Sequence, residues 1–554
     1  MNALTRYGVA AAMLSLIAAG PAAAAADHPA LEESKPGFIV AAPDRGFLGN
    51  EETRAAFAVL DERHPAALVF VTDERTRQSL HDAIEKLVAT GVGRAVLLPL
   101  YLSTAHPDFR LLRDGIADAQ IPVRIGRSFG QSALAVATLA DRFETLPADA
   151  RRIVVAGIEE DGSDPDPLAA DLQRLAASAS DRFEFPAPEI LLTSEDPAAL
   201  AQRLSALDDN TIVVPFHLGK KHDSMMSHTA RVRYAAPATI AIAEGGVTPH
   251  PAVGAWLLRE AARHTFDDSS KIGVIVHAHG SDFHWNERMR QAAVPLTGRY
   301  LVEYAFSMAD PVTLRTATDR LVQRGAEAVV LVRVFGMAES FRAGIERLIG
   351  TDYESCQIPA HAGHAHHGHG HANRAPRIVA PVPIVTVGGL QDHPLFARAL
   401  LDRARALSQD PVNETVIVVA HGKRDDADNA EWMEHLESIR RQMQEVGSEA
   451  FNAIEIGTWR EDWADKREPA VARIRALIEQ AAARGDRVII VPARTNAQGP
   501  ARRLIPDLDY ALAEGFAGHP LFAEWLDAQV RVGVEAIKAG TTAAGCPDNA
   551  GAGG

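Results

Sequence analysis

The sequence predicts an α/β protein made of four repeated doubly wound parallel-sheet units, arranged as two bilobal modules. Three observations carry this. Strand-like segments are continuous Val/Ile/Leu runs rather than alternating ones, as expected of strands buried on both faces. Helical stretches separate them, supplying the crossovers that parallel strands require. The order strand, helix, strand, helix, strand, closing helix recurs about every 110–140 residues, far above solenoid periods.

The units open at Phe38-Ile-Val-Ala-Ala, Arg152-Ile-Val-Val-Ala, Gly273-Val-Ile-Val and Val416-Ile-Val-Val. Second strands read Ala67-Leu-Val-Phe-Val, Ile190-Leu-Leu-Thr, Leu301-Val-Glu-Tyr-Ala-Phe and Ala453-Ile-Glu-Ile. Third strands read Ala95-Val-Leu-Leu-Pro99, Thr211-Ile-Val-Val-Pro215, Ala328-Val-Val-Leu-Val-Arg-Val-Phe and Val488-Ile-Ile-Val-Pro492. In three units the closing helix is announced by a His-Pro pair, at His250-Pro251, His393-Pro394 and His519-Pro520. The resulting division is a leader 1–26, units 27–150, 151–268, 269–410 and 411–537, and a tail 538–554.

With 554 residues, 47% of them hydrophobic, the chain can bury several cores. A net charge of −16 argues against nucleic acid, whose phosphates call for a basic face. It suits cation traffic, although an excess of carboxylates is commonly a solubility device. The two cysteines, Cys356 and Cys546, define neither a disulfide framework nor a Cys-type zinc site. The first residues read as an export signal: Arg6, an apolar stretch from Val9 to Ala19, and an Ala-rich zone ending near Ala26. The stretch is shorter than the ~20 residues that span a bilayer. The expected mature protein is periplasmic or secreted, with no transmembrane anchor after cleavage.

Two units open with a strand that runs into a His-Gly turn, Ile272-Gly-Val-Ile-Val-His-Ala-His279-Gly280 and Val416-Ile-Val-Val-Ala-His421-Gly422-Lys423. This places an imidazole at the carboxyl end of a buried strand, where open α/β sheets form ligand crevices. His277, two residues before His279, points to the same side of its strand. It reads either as a second ligand or as a satisfied core histidine.

The segment His421-Gly-Lys-Arg-Asp-Asp-Ala-Asp-Asn429-Ala-Glu431 resembles the opening of the sirohydrochlorin cobaltochelatase group of class II tetrapyrrole chelatases. Pro99-Leu-Tyr-Leu-Ser-Thr-Ala-His106 and Pro215-Phe-His-Leu-Gly-Lys-Lys-His222 are similar to that family's third-strand signature, which leads to a metal-binding histidine. The resemblance covers nearly the whole mature chain as two tandem pairs. It implies a lyase of cobalamin-type biosynthesis, with the tetrapyrrole in a cleft between paired units. Because the units are fused, no oligomer is required.

The chemistry fits these residues. Neutral imidazole holds and releases borderline divalent ions such as Co²⁺, Ni²⁺ or Fe²⁺. A second imidazole or carboxylate can accept the pyrrole N–H protons. No unit, however, holds a complete pair. Units one and two keep His106 and His222 but carry Ala42-Pro43-Asp44-Arg45 and Ala156-Gly157-Ile158-Glu159 in place of His-Gly. Units three and four keep His279 and His421 but have Val334-Phe-Gly-Met-Ala-Glu339-Ser and Ala493-Arg-Thr-Asn-Ala-Gln-Gly499 where the second histidine belongs. Glu339 can stand in as ligand or base, or histidines of different units can meet in one site.

The candidate catalytic residues are therefore His279, His421 and Glu339, and the candidate metal ligands His106, His222, His279 and His421. A strand-end histidine bonded to a nearby carbonyl is the plain alternative for the last two. Asn429 and Glu431 read as structural support for the helix after the turn. Arg494, Arg502 and Arg503 can meet acidic side arms of a tetrapyrrole or form a solvated face, and Trp432, Trp459 and Trp463 line a cleft or fill a core. A separate segment, His361-Ala-Gly-His364-Ala-His366-His367-Gly-His369-Gly-His371, offers six imidazoles among small residues, suited to binding Co²⁺, Ni²⁺ or Zn²⁺. The expected function is insertion of a divalent metal, cobalt foremost, into a sirohydrochlorin-type tetrapyrrole. The alternative is a non-catalytic protein that sequesters metal or carries tetrapyrrole, built from degenerate units.

Overall fold

The computed structural model describes residues 35–159, 162, 164–193, 196–218, 222–223, 226–354, 375–446, 451–496 and 500–540. Residues 1–26, read above as an export signal, and the His361–His371 segment lie outside them. Unit one comprises β1 (Gly37–Pro43), α1 (Gly46–Asp61), β2 (Ala66–Val71), α2 (Arg75–Ala89), β3 (Ala95–Pro99), α3 (Asp108–Ile116), β4 (Val123–Ile125) and α4 (Ala133–Phe143). Unit two comprises β5 (Ile153–Ile158), α5 (Pro165–Ser180), β6 (Glu189–Thr193), α6 (Pro197–Ser205), β7 (Ile212–Pro215), a small hairpin β8 (His222–Asp223) and β9 (Met226–Ser227), α7 (His228–Ala235), β10 (Ala241–Ile242) and α8 (Pro251–Thr265).

Unit three runs through β11 (Ile272–Ala278), α9 (Phe283–Ala293), β12 (Leu301–Phe306), α10 (Pro311–Gln323), β13 (Ala328–Val334), α11 (Arg342–Ile349), α12 (Thr351–Glu354), β14 (Ile384–Gly388) and α13 (Pro394–Leu407). Unit four runs through β15 (Glu414–Ala420), α14 (Asp426–Val446), β16 (Ala453–Thr458), α15 (Ala464–Ala483), β17 (Arg487–Pro492), α16 (Ala501–Leu504), β18 (Ala511–Leu512) and α17 (Pro520–Lys538).

Each unit folds into one four-stranded sheet with the order second, first, third, fourth strand. All pairings within these sheets are parallel, for example Ile417 with Glu455 on one side and with Ile490 on the other. From the first strand the chain moves one way to the second and the other way to the third. The loops after the first and third strands therefore part at the carboxyl edge, which is where such sheets open a crevice.

The His-Pro pairs have a mechanical role. His250, His393 and His519 are the N-caps of α8, α13 and α17, and each ring Nδ1 accepts a hydrogen bond from the backbone N–H two residues on, at 3.1, 3.2 and 3.2 Å. Proline follows at the first helical position, where its fixed φ suits the helix and its missing N–H costs nothing. Unit one uses Ser132 for the same purpose, accepting from Leu134.

These closing helices form the seam within each pair. In the first two units α1, α4, α5 and α8 pack together between the sheets, and in the last two α9, α13, α14 and α17 repeat the arrangement. One continuous core spans units one and two, another spans units three and four. Trp256 on α8 and Trp525 on α17, each five residues after the helix-opening proline, are fully buried in them. Gly533 lets α17 lie directly on β13, since a Cβ there would fall 2.5 Å from Val330.

The two modules meet through buried charge. Glu354 receives Arg263 at 2.7 Å and Arg259 at 3.3 Å from α8, while Arg347 of α11 binds Asp181 at 2.6 Å. Tyr353 donates to the Gly130 carbonyl at 2.7 Å. Burial pushes the Glu354 carboxyl up, but Arg263, Arg259 and Arg127 outweigh it and hold the group below the usual carboxylate range. Glu260, equally buried, is pushed up by desolvation.

Breaking a buried pair by removing one partner leaves an uncompensated charge. Glu354→Ala is expected to cost about 3–5 kcal/mol and to separate the unfolding of the two modules. Chemical denaturation followed by tryptophan fluorescence checks this; one unsplit transition at the wild-type midpoint contradicts it.

Candidate functional site

The site is built at the carboxyl edge, and the turn after the first strand follows one plan in three units. The backbone N–H of Arg45, Ser281 and Lys423 donates to the side-chain Oδ1 of Asn50, Asn286 and Asn429, at 2.9, 3.1 and 3.1 Å. Gly422 sits at φ +84° and is closely packed: a Cβ there would lie 2.6 Å from Asn429 Oδ1 and 2.8 Å from Thr458. The glycine of the His-Gly pair thus makes the turn possible, and Asn429 holds it.

In both His-Gly turns the imidazole Nδ1 lies 2.7 Å from the carbonyl of the following glycine. A carbonyl only accepts, so Nδ1 carries a hydrogen in both turns and Nε2 is the nitrogen turned away from the backbone; in His421, where Nε2 faces a carboxylate that likewise only accepts, this arrangement carries a hydrogen on Nε2 too. His279 is exposed, whereas His421 is half-buried. His421 Nε2 lies 2.9 Å from Asp462 Oδ2 and 3.8 Å from Glu461 Oε1. Trp432 lies face-on to the ring at 6.2 Å, and Trp463 meets it edge-on at 5.6 Å. Arg494 pairs with Glu461 inside the same unit, and Arg502 and Arg503 lie on an exposed face. Trp459 fills the core.

Facing loops come from the neighbouring unit. Glu339 reaches across from unit three to Lys423 of unit four, Oε1 to Nζ 2.9 Å. Gly336 abuts the Trp432 ring, where a Cβ would fall 2.5 Å away. In the opposite direction Arg288 of α9 donates to Asn496 of unit four at 3.1 Å. Each third-strand loop therefore packs against the first-strand turn of its partner unit.

The first module repeats this architecture with different chemistry. Strand register places Pro43 and Ile158 where His279 and His421 stand. A cavity of about 40 Å³ lies between units one and two, with Arg45, Tyr101, His106, Ile158 and His217 in its lining. That volume suits a few waters and not a macrocycle. His106 Nδ1 accepts from the Asp108 N–H at 3.2 Å ahead of α3, the same geometry as the helix-capping histidines, and its ring packs on Tyr101 at 4.8 Å. His217 is buried, its Nε2 3.2 Å from Thr229 Oγ1.

His222 lies on β8, with its side chain outside the described residues. His106 lines the cavity of the first module, and His279 and His421 follow the first strands of units three and four. Among the described residues no group of three or more His, Cys, Asp or Glu is disposed to hold a metal ion, and no helix is long and apolar enough to cross a membrane.

Sequence reasoning missed Asp462, Glu461, Lys423 and His217. The acidic pair follows the second strand of unit four, and a sheet order with that strand beside the first was the signal available. His277 resolves as a core residue: fully buried, Nδ1 2.8 Å from the Ala305 carbonyl, edge-on to Phe335. Burial, outweighing the Ala305 bond, lowers its pKa to about 4.

No family model matches the chain, and no curated protein matches it. Among solved structures it is similar to the sirohydrochlorin chelatase SirB from Bacillus subtilis subspecies spizizenii in complex with cobalt. That likeness has 18% identity over 42% of this chain and 95% of the other, with a TM-score of 0.31. It is also similar to Pichia pastoris phosphofructokinase in the T-state, with 10% identity over 91% of this chain and 71% of the other, and a TM-score of 0.21.

A histidine held neutral by folding favours the native state only while the unfolded chain also lacks the extra proton. Acidification from about pH 6.5 to about 4 lets the unfolded chain take that proton first, so the His277 contribution is lost across this window. The loss amounts to about 3 kcal/mol. The stability gap between wild type and His277→Asn should shrink by that amount between pH 7 and pH 4, measured by urea denaturation at each pH; a gap independent of pH contradicts it.

Proposed function

We propose that this chain is an exported chelatase-like protein that inserts a divalent metal into a sirohydrochlorin-type tetrapyrrole, with cobalt foremost and nickel or iron as alternatives. The cleft between units three and four is assigned the chemistry. One observation carries the reading: His421 sits at a strand end with Nδ1 fixed by the Gly422 carbonyl and Nε2 against Asp462, between two tryptophans. The sequence resemblance of this segment to the cobaltochelatase group supports it independently.

Metal insertion replaces two pyrrole N–H protons with one M²⁺, so two protons must leave. His421 Nε2 accepts one after releasing to solvent, by way of Asp462, the hydrogen that faces that carboxylate. His279, exposed on the opposing unit, accepts the other. Both imidazoles are borderline ligands through the same nitrogen and can hand the metal, which is substrate here, to the macrocycle. Glu339, tied to Lys423, acts as a carboxylate within the same cleft once that ion pair opens. The six histidines from His361 to His371 serve to collect metal, and His106 and His222 belong to the first module's cleft. The leader 1–26 directs the protein to the periplasm or outside.

A second reading, a stoichiometric tetrapyrrole or metal binder, is favoured by the first module, which has Pro43 and Ile158 in place of strand-end imidazoles. The two are separated by incubating full-length mature protein with sirohydrochlorin and Co²⁺ and following the visible spectrum. Many equivalents converted per chain are expected. His421→Ala should slow conversion by about 10²–10⁴-fold, the usual span of a general base, and Asp462→Asn by less. Conversion that stops at the number of clefts sinks the enzyme reading.

Metal removal gives a further expectation. Deleting residues 361–371 should leave conversion unchanged at saturating Co²⁺ and lower it at limiting Co²⁺. Equal rates at limiting metal contradict the collecting role.

A further inference from the structure

A cavity of about 70 Å³ lies in the seam between the first module and unit three. On one side its wall is α4 and the end of α5; on the other it is α10, α11 and the segment leading to β14. None of its lining residues belongs to a strand-end turn. The charged ones are Asp141, Asp181, Arg182, Arg315, Arg347 and Arg377. Four guanidiniums thus meet two carboxylates, in a chain whose net charge is −16.

Three of the arginines have a structural explanation. Arg182 pairs with Glu144 at 3.1 Å, Arg347 with Asp181 at 2.6 Å and Arg377 with Asp352 at 2.6 Å. Their side chains are only 7%, 9% and 6% exposed. Asp141, the remaining carboxylate of the lining, is bonded to His250 at 3.1 Å and lies 3.9 Å from Arg182. Arg315 is left over. Among the described residues its half-buried guanidinium has no carboxylate partner, only the Pro376 and Arg377 carbonyls, each at 3.4 Å. Arg182 Nε, in the same lining, is buried with no acceptor at all.

Native proteins rarely leave a buried donor unmet. A water satisfies Arg182 Nε but leaves the Arg315 charge unmatched. The residues joining Glu354 to Ala375 include no Asp or Glu, so that stretch of chain has no carboxylate to offer. We propose that the cavity binds a compact, doubly charged oxyanion of the phosphate class, held by Arg315 and Arg182, with Arg347 and Arg377 completing the cationic wall. The guanidinium fork matches two oxygens of such an ion. The volume takes one of them in place of a few waters and excludes a nucleotide or a macrocycle. Because the walls come from both modules, the bound ion ties the first module to unit three. The site does not depend on the chelatase-like reading.

The test is isothermal titration of the full mature chain with inorganic phosphate, at constant ionic strength set with chloride and at a pH where phosphate is doubly charged. Wild type should bind one equivalent; sulfate should compete for it and acetate should not. Arg315→Gln should weaken binding roughly ten- to hundredfold, as expected for the loss of a hydrogen bond to a charged group, and Arg315→Lys should recover part of the loss. Phosphate should raise the thermal midpoint of wild type progressively with its concentration and leave that of Arg315→Gln unmoved. Without phosphate the Arg315→Gln midpoint should match wild type, because Arg315 has no ion pair to lose. If it does not match, Arg315→Lys decides: weakened binding supports the site and unchanged binding overturns it. Wild-type affinity in Arg315→Gln, equal binding of acetate, or no binding by wild type overturns the proposal and leaves the chelatase-like reading untouched.

Discussion

The closing helix of each unit fixes everything downstream of it. An imidazole or hydroxyl cap and, in three units, a following proline set where the helix begins, and a buried tryptophan in α8 and α17 sets its depth. Because these helices interleave with the first helices of their partner units, one packed layer joins two sheets and turns their carboxyl edges toward a common cleft. The first helix of each unit starts within a few residues of the strand-end turn. Packing that orients the helix therefore also orients His279 or His421.

The same frame carries two chemistries. Unit one retains the turn, with Asn50 bonding the Arg45 N–H, yet has proline where units three and four have histidine. The hydrogen bond between asparagine and turn is a folding device, indifferent to the side chain one or two residues earlier. A duplicated scaffold can lose its imidazole without losing its shape, and the first module illustrates that separation.

Much of the fold was legible because parallel strands buried on both faces leave uninterrupted apolar runs, such as Val416 to Val419. The His-Pro pairs were visible as punctuation, but their meaning as N-caps needed the ring's Nδ1 placed against an N–H two residues on. The site was legible only in part. His421 announces itself by its strand and glycine, whereas Asp462 lies 41 residues away and the Lys423–Glu339 pair spans 84. Such partners are chosen by sheet order and by packing between units, neither of which local patterning encodes. His277 shows the opposite limit: its place on the strand left ligand and core readings equal, and only burial, with Phe335 against its ring, revealed it as a core residue.

The ion pair between Asp352 and Arg377, at 2.6 Å, stands at either end of the stretch that contains the six clustered histidines. Its neighbours Glu354 and Arg347 are anchored in the seam between the modules. The two points where the described chain leaves off and resumes are thereby held together by residues that belong to the scaffold. Joining two fixed points costs little more entropy as the number of intervening residues grows, so the tract between them can change in length or sequence while the four sheets remain unaffected.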